Sequence, residues 1–198
     1  MKHIVILGGS WAGLITAHRF LKATAKSQTE LDSKVTIISR DTHFFWNIAS
    51  PRAIVPSKLS DEQVLQPIAS GFAAYGGRAA VVHGTAVAVD FVAKTVVVQK
   101  GDSDERFDVQ YDVLIIGTGS RTKGGGPFKS NGSSEKLRVM LHEYQEKIAQ
   151  AQTIVVLGAG LTGCETASEI ADAYGSKKRV ILVSASMWWD SYSGHTFI

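Results

Sequence analysis

Two glycine-rich hexapeptides are the part of this chain best suited to chemistry, because each could bind a diphosphate. They read GGSWAG over Gly8–Gly13 and GAGLTG over Gly158–Gly163. Each follows an apolar run and precedes a helical pattern, so both are predicted at a strand-to-helix turn. A helix N-terminus offers unpaired N–H groups and a positive dipole end, and glycine lets phosphate oxygens approach the backbone. The spacing therefore predicts two dinucleotide sites.

The two hexapeptides differ at the position that lies closest to a bound diphosphate. In the first, Ser10 replaces the usual middle glycine, so its Cβ narrows the approach while its hydroxyl could donate to a phosphate oxygen. The second has the full set of Gly158, Gly160 and Gly163. For the first hexapeptide, a tight turn without any ligand is the alternative interpretation.

The acidic residue that usually ends the second strand of such a unit, and binds ribose hydroxyls, is missing from both units. Ser39 and Ser184 stand at these positions. Arg40, which follows Ser39, could stack on an adenine or neutralise a phosphate. The missing carboxylate at Ser184 removes repulsion of a 2′-phosphate, which leaves NADH and NADPH both open.

An internal repeat contains both hexapeptides. Residues 3–20 and 153–170 align at a shift of 150 positions, with identities at Ile4, Val5, Leu7, Gly8, Gly13, Thr16 and Ala17. The repeat predicts an α/β fold with two Rossmann-like dinucleotide-binding units in a three-layer arrangement. We expect a first unit over 1–122, a crossing loop and helix over 123–152, and the start of a second unit over 153–198.

The spacing of hydrophobic residues predicts the helices and strands that lie between the two copies of the repeat. The pattern predicts a helix over 61–75 and a β-meander at about 79–99. It also predicts a buried strand over 111–118, a flexible crossing over 120–134 and an amphipathic helix over 135–151.

Composition narrows the class of protein. The 198 residues include one cysteine, Cys164, so neither an internal disulfide framework nor a CxxC redox pair can form. The net charge of +3 is spread along the chain and indicates no nucleic-acid partner, and the six histidines lack metal-ligand spacing. The apolar runs are too short to span a bilayer and the first strand begins at His3, so we expect a cytoplasmic protein, with peripheral association at a membrane or mitochondrial surface left open.

Five segments in order give the chain a resemblance to a known family. They read VILGGSWAGL, HFFWNIASPRAIV, HGTAVAVD, YDVLIIGTGS and VVLGAGLTGCETASEI. Together they resemble the apoptosis-inducing-factor-like flavoproteins, above all the short members of the apoptosis-inducing factor 2 or ferroptosis suppressor type and their fungal homologues. The resemblance implies FAD in the first unit and NADH or NADPH in the second. It also implies transfer of a hydride to flavin and of electrons to a quinone or an electron-transfer protein.

The resemblance also implies which residues bind the cofactors. Arg52 matches an arginine that contacts FAD, the Ala86 backbone matches a contact to adenine, and Glu165 lies on the nicotinamide side of its helix. For Arg52 a surface salt bridge is the alternative, and for Glu165 a favourable charge near a helix start. The cofactor-binding residues expected are Gly8, Gly9, Ser10, Trp11, Ala12, Gly13, Arg40, Arg52, Ala86, Thr118, Gly119, Gly158, Gly160, Gly163 and Glu165.

The resemblance ends at about residue 186, and the final MWWDSYSGHTFI loses the pattern. Family members complete the second unit and continue with a Gly-Asp strand that binds flavin and with a C-terminal domain. The resemblance therefore implies a C-terminally truncated chain, with the second dinucleotide-binding unit incomplete. Any membrane contact is expected only through those further regions. A nucleotide-binding fragment without catalysis is the alternative function.

Overall fold

The computed structural model describes residues 1–26, 33–101, 103–123, 125–130 and 133–185. The prediction for the final residues, including the loss of pattern after 186, lies outside these ranges. The described strands are β1 (Lys2–Leu7), β2 (Ser33–Ser39), β3 (His43–Phe45), β4 (Leu65–Pro67), β5 (Ala79–Asp90), β6 (Thr95–Lys100), β7 (Arg106–Gln110), β8 (Val113–Ile116), β9 (Thr153–Leu157) and β10 (Arg179–Val183). The α-helices are α1 (Trp11–Lys26), α2 (Ser50–Ala53), α3 (Asp61–Val64), α4 (Ile68–Phe72), α5 (Ser134–Gln150) and α6 (Leu161–Tyr174), and short 3₁₀ segments cover Asn47–Ala49, Ala73–Arg78 and Gly175–Lys177.

The chain divides into two compact units. The first contains Met1–Phe45, Leu65–Lys123 and Lys129–Ser134. The second contains Trp46–Val64, Gly124–Phe128 and the described residues from Glu135 onward.

The first unit is a three-layer arrangement around a six-stranded sheet. The strand order is β7-β6-β5-β2-β1-β8, in which β5, β2, β1 and β8 run parallel and the β5-β6-β7 meander is antiparallel. One face of the sheet buries Ile4, Ile6 and Val35 in a cluster with Ala17 and Leu21 of α1. The opposite face has its own buried cluster, formed by Val5, Leu7, Ile38, Val96, Val98 and Tyr111. Burial on both faces explains why the central strands are continuous apolar runs.

The second unit repeats the same local order on a smaller scale. Strand β9, helix α6 and strand β10 follow one another, and β9 pairs with β10 in parallel from Thr153 to Leu157. Helix α6 buries Ala167 and Ile170. The predicted amphipathic helix is α5, which buries Leu137, Leu141 and Ile148.

The segment Trp46–Val64 lies in the second unit, although the sequence boundaries placed it in the first. Its contacts explain the difference. Arg52 pairs with Glu169 at 2.9 Å and Lys58 with Asp172 at 2.8 Å, both on α6. These partners are more than a hundred residues away along the chain, so no local pattern indicates them.

The predicted helix over 61–75 was wrong. Helix α3 ends at Val64, strand β4 follows, and α4 begins at Ile68. Pro67 explains the break, because proline has no N–H for a helical hydrogen bond and pushes the preceding Gln66 out of the α region. The freed segment pairs instead with β3, antiparallel, with His43 opposite Pro67.

Two further strand predictions need correction. Strand β7 was missed, although Phe107 and Val109 alternate with exposed residues as expected for a half-buried strand. The buried strand predicted over 111–118 is the shorter β8, of which Val113 is 41% and Ile116 59% exposed. In the described sheet β8 is the terminal strand and pairs only with β1, so one of its edges has no strand neighbour.

Candidate dinucleotide-binding sites

The first glycine turn lies at the predicted junction between β1 and α1. The backbone N–H of Gly8 donates to the carbonyl of Ile38 at 2.9 Å, which ties the turn to β2. Its φ of +116° lies in the region that favours glycine. The N–H of Leu14 donates to the carbonyl of Ser10 at 2.9 Å and begins the helical ladder. The N–H groups of the residues before Leu14 therefore point out of the helix start, where an anion could accept from them.

Close packing explains why glycine is needed in this turn. A Cβ on Gly13 would meet the carbonyl oxygen of Gly8, and a Cβ on Gly8 would meet the carbonyl oxygen of Gly117. A Cβ on Gly9 would meet the side chains of Ser39 and Ile68. The turn is thus held against the ends of β2 and β8, and only a side-chain-free backbone fits there.

The second glycine turn has the same geometry. The N–H of Gly158, which has a φ of +101°, donates to the carbonyl of Val183 at 2.8 Å. The N–H of Cys164 donates to the carbonyl of Gly160 at 2.9 Å, and a Cβ on Gly163 would meet the carbonyl oxygen of Gly158. The internal repeat seen in the sequence is therefore also a repeat of hydrogen bonds and close contacts.

Space at the start of α6, and charge at the starts of both α1 and α6, suit a diphosphate. A Cβ built on Gly160, the residue that caps α6, meets no atom within 4 Å, so the backbone there is open to a ligand. Neither α1 nor α6 has an acidic residue in its first turn, so no carboxylate opposes the positive end of either dipole. Glu165 lies beyond that turn and is exposed. These features fit the diphosphate of FAD or of a pyridine nucleotide.

Thr118 and Gly119, which the family resemblance implies as cofactor-binding residues, follow the end of β8 close to the first glycine turn. The N–H of Gly117, at the end of β8, donates to the carbonyl of Leu7 at 2.8 Å. Thr118 and Gly119 follow directly, and Thr118 is exposed. The structure thus brings this turn and the Gly8 turn together, as a shared cofactor site would require.

Ala86 lies farther along β5, where the pairing with β6 shifts register between Ala86 and Ala88. Such an irregularity bends a strand and leaves part of its backbone outside the hydrogen-bond ladder. The Ala86 side chain packs against the buried face that contains Val96 and Val98. The predicted adenine contact by its backbone stays a prediction.

A small polar cluster occupies the end of β2. The buried Ser39 hydroxyl donates to the Asp41 carbonyl at 2.7 Å, and Arg40 donates through Nη2 to the Ser130 carbonyl at 3.3 Å. The Ser130 hydroxyl donates to the Asp41 carboxylate at 3.0 Å. Burial raises the pKa of Asp41, although Ser130 and Arg40 act in the opposite direction.

Two buried polar atoms of this cluster have no hydrogen-bond partner, Arg40 Nε and Asp41 Oδ1. Arg40 is thus bonded within the unit only through Nη2, to the Ser130 carbonyl, and its predicted contact to adenine or phosphate stays a prediction. Sequence reasoning missed Asp41, because an acidic residue two positions beyond the strand end belongs to no dinucleotide-binding motif.

Aromatic residues flank the first turn. Trp11, the first residue of α1, meets Phe44 edge-on, with ring centroids 4.9 Å apart. The pair adds an apolar wall beside the start of α1 within the same unit.

Arg52 forms a salt bridge with Glu169, which is the role that the sequence left open as the alternative to an FAD contact. Its Nε donates to both carboxylate oxygens of Glu169, at 2.9 and 3.0 Å, and its Nη2 lies 2.9 Å from Oε1. The two-pronged geometry satisfies much of the guanidinium's donor capacity. The FAD contact implied by the resemblance stays a prediction.

In the part of the chain that the structure describes, no helix is long and apolar enough to cross a membrane. In the same residues no group of three histidines, cysteines or carboxylates is arranged to hold a metal ion.

Comparison with known proteins places this geometry in a family. The model of the pyridine nucleotide-disulphide oxidoreductases matches residues 2–189. Among curated proteins, oxidoreductase ptaL of Pestalotiopsis fici is 53% identical over 185 residues, covering 93% of this chain and 49% of that protein. Apoptosis-inducing factor homolog B of Dictyostelium discoideum is 26% identical over 182 residues, covering 89% of this chain and 40% of that protein. The chain spans about half the length, or less, of these relatives.

A solved structure shares the fold. The water-forming NADH oxidase from Lactobacillus brevis, bound to NADH, has a TM-score of 0.66 at 19% identity, covering 93% of this chain and 40% of that one. Together with the two matched glycine turns, these similarities show that the chain belongs to the pyridine nucleotide-disulphide oxidoreductase family.

Proposed function

We propose that this chain forms the nucleotide-binding part of an FAD-dependent oxidoreductase. In this proposal the protein takes a hydride from NADH or NADPH onto flavin and passes electrons to a quinone or to an electron-transfer protein. The observation that carries the proposal is the matched pair of glycine turns, in which Gly8 and Gly158 make equivalent hydrogen bonds to the next strand. Two equivalent diphosphate cradles in one chain suit a protein that uses two dinucleotides.

Each unit has a separate task in this proposal. At the first turn the N–H groups at the start of α1 bind the FAD diphosphate, and the Ser10 hydroxyl adds a donor. At the second turn Gly158–Gly163 bind the diphosphate of NADH or NADPH. Flavin, when bound, supplies the acceptor for the hydride of the reduced nicotinamide. The protein's own residues bind and orient, and none is assigned an acid, base or nucleophilic role.

The family name includes disulphide reduction, but the 198 residues of this chain hold no cysteine pair for that reaction. A dithiol–disulphide exchange within one chain needs two cysteines, and the sequence has only Cys164. Its Sγ donates to the carbonyl of Ala159 at 3.4 Å, inside the second turn. We therefore propose a quinone-like small molecule or an electron-transfer protein as the acceptor, as the family resemblance implies.

A nucleotide-binding fragment without turnover is the second candidate. The observation that favours it is the exposure of two apolar residues that flank the second turn, Leu157 at 79% and Leu161 at 78%. Such exposed apolar residues leave the second nucleotide site open to solvent.

Anaerobic spectroscopy separates the two candidates. The purified chain is titrated with FAD, unbound flavin is removed, and NADH or NADPH is added while the flavin absorbance is followed. Bleaching of bound flavin supports the oxidoreductase, and a chain that binds FAD without bleaching supports the fragment. A chain that binds neither FAD nor a pyridine nucleotide contradicts both.

A further inference from the structure

The β9–β10 sheet packs against α6 on one face and exposes apolar side chains on the other. Val156 points toward α6, because a Cβ on Gly163 would lie 3.6 Å from its Cγ1. Side chains alternate along a strand, so Val155 and Leu157 lie on the opposite face, together with Val183, which is paired with Leu157. These three residues, called the uncovered face, are 52%, 79% and 44% exposed. Strands of a parallel sheet are usually buried on both faces, so this exposure needs an explanation.

The first unit shows what covers the same face of the same motif. Through the shift of 150 positions and the strand register, the uncovered face corresponds to Val5, Leu7 and Ile38. Those residues are only 0%, 4% and 2% exposed. They are buried in one cluster with Val96 and Val98 of β6, within the β5–β7 meander. Equivalent positions are therefore covered by an antiparallel meander in the first unit and exposed in the second.

The edge of β10 differs from its counterpart in the same way. Strand β10 corresponds to β2, since each pairs in parallel with the first strand of its repeat. Strand β2 also pairs with β5, from Val35 opposite Ala79 to Ser39 opposite His83. Within the described ranges, β10 pairs with β9 alone. An open strand edge offers N–H and C=O groups to an added strand, so edge and face together define the shape of an occupant.

We propose that the edge of β10 and the uncovered face bind a β-meander of a second polypeptide. Its first strand runs parallel to β10, as β5 does beside β2, and its next strands turn alternate apolar side chains onto Val155, Leu157 and Val183. The comparison of lengths supports this occupant. The chain covers 49% of oxidoreductase ptaL, which leaves about half of that relative's sequence with no counterpart here.

A second copy of this chain fits the same surface less well. Two copies related by a twofold axis would pair their β10 strands antiparallel, whereas β5 runs parallel to β2 in the first unit. A second copy also has no free meander to offer, because its own β6 and β7 already cover Val5 and Ile38. The repeat thus favours a different polypeptide.

The test is co-purification with a defined partner. The full chain, carrying an affinity tag, is co-expressed with the half of oxidoreductase ptaL that it does not cover, and we expect a one-to-one complex. Leu157→Asp with Val183→Asp should reduce the captured partner at least ~10-fold, since two apolar side chains of the contact become charged. Val155→Ile with Val183→Ile should retain it. The matched control is Ile48→Asp with Val139→Asp, which changes exposed apolar residues elsewhere in the second unit and should leave capture unchanged.

Two further measurements make the result independent of one probe. A labelled peptide of residues 79–110, the chain's own meander sequence, is titrated into the full chain and should bind with the same dependence on Leu157 and Val183. Amide hydrogen exchange of β10 should slow in either complex, because an added strand pairs with its edge. No nucleotide is present, so this test and the test of the proposed function can fail independently.

Other outcomes overturn the proposal. Failure of both probes to bind, or equal loss in the control variant, removes the uncovered face as a docking surface. If the parent binds neither probe but a variant without residues 186–198 does, the occupant is the chain's own end. If size-exclusion chromatography of the chain alone shows a dimer that Leu157→Asp/Val183→Asp abolishes, the occupant is a second copy. Far-UV circular dichroism of each variant checks that the fold is retained.

Discussion

A side chain on Gly13 would collide with the carbonyl oxygen of Gly8, because the first turn of α1 lies directly against the end of β1. Gly163 stands in the same relation to Gly158. The obstacle in both cases is backbone, which cannot rotate aside as the end of a flexible side chain would. The contact fixes where each helix begins and therefore where the N–H groups of its first turn point.

Gly13→Ala is expected to lower the free energy of unfolding by about 1–3 kcal/mol, the usual range for overpacking a tight contact. Because the start of α1 must shift, FAD affinity should fall as well. Urea unfolding and a titration of FAD fluorescence measure the two effects. The matched control is Gly71→Ala in α4, where a Cβ meets no atom within 4 Å and FAD affinity should not change. Unchanged unfolding and FAD binding in Gly13→Ala would contradict the packing argument.

Substitutions in the Arg52–Glu169 pair can distinguish a structural role of Arg52 from a role in binding FAD. Arg52 is about half exposed, so the pair is expected to contribute no more than ~1 kcal/mol to the free energy of unfolding in a double-mutant cycle. Glu169→Gln should leave FAD affinity unchanged, while Arg52→Gln should lower it if the family's FAD contact holds here. Equal FAD affinity in both variants would leave Arg52 as a salt-bridge residue alone.

Asp41 should give an unusual dependence of stability on pH. Burial raises the pKa of its carboxyl in the folded state, so the folded chain binds this proton more readily than the unfolded chain. Between the ordinary value and the raised folded value, this residue makes stability fall as pH rises, opposite to a salt-bridged carboxylate. Asp41→Asn should therefore be more stable than the parent at neutral pH.

Urea unfolding from about pH 3 to pH 7, a range that spans the titration of an ordinary carboxyl, measures this difference. The advantage of Asp41→Asn should grow as pH rises through that window and then stay constant. An advantage that shrinks with rising pH would show that the bonds to Ser130 and Arg40, rather than burial, dominate the pKa of Asp41.

The glycine turns were predictable from the sequence because their determinants are local. An apolar run, a glycine spaced for the turn and a helical pattern lie within twenty residues, and the repeat at 150 positions supports each copy by the other. The positions of Gly8 and Gly158 followed from this, and helix α5 followed from its own amphipathic pattern. Their ligands did not, since a strand-to-helix turn packs in the same way with or without a diphosphate beside it.

The surroundings of the turns depend on distant contacts, which the sequence pattern does not contain. Arg52 meets Glu169 only because a segment that follows β3 packs on a helix 117 residues away. The helix predicted over 61–75 failed for a local reason that the apolar periodicity concealed, since Pro67 interrupts it. Asp41 was overlooked because burial, rather than motif, makes it unusual.

Ser184 is expected to set the choice between NADH and NADPH in the second unit. It follows β10, at the strand end where an acidic residue usually binds the ribose hydroxyls and repels a 2′-phosphate. Ser184→Asp should therefore favour NADH over NADPH by about 10-fold or more in the ratio of dissociation constants, since like charges at close range are worth at least ~1.4 kcal/mol. Fluorescence titration with each reduced nucleotide measures the ratio without any turnover. The matched control is Ser184→Asn, because asparagine has the shape of aspartate without its charge. This variant should leave the ratio of dissociation constants near that of the parent. If Asp and Asn change the ratio equally, the effect is steric, and the nucleotide ribose does not lie at the end of β10.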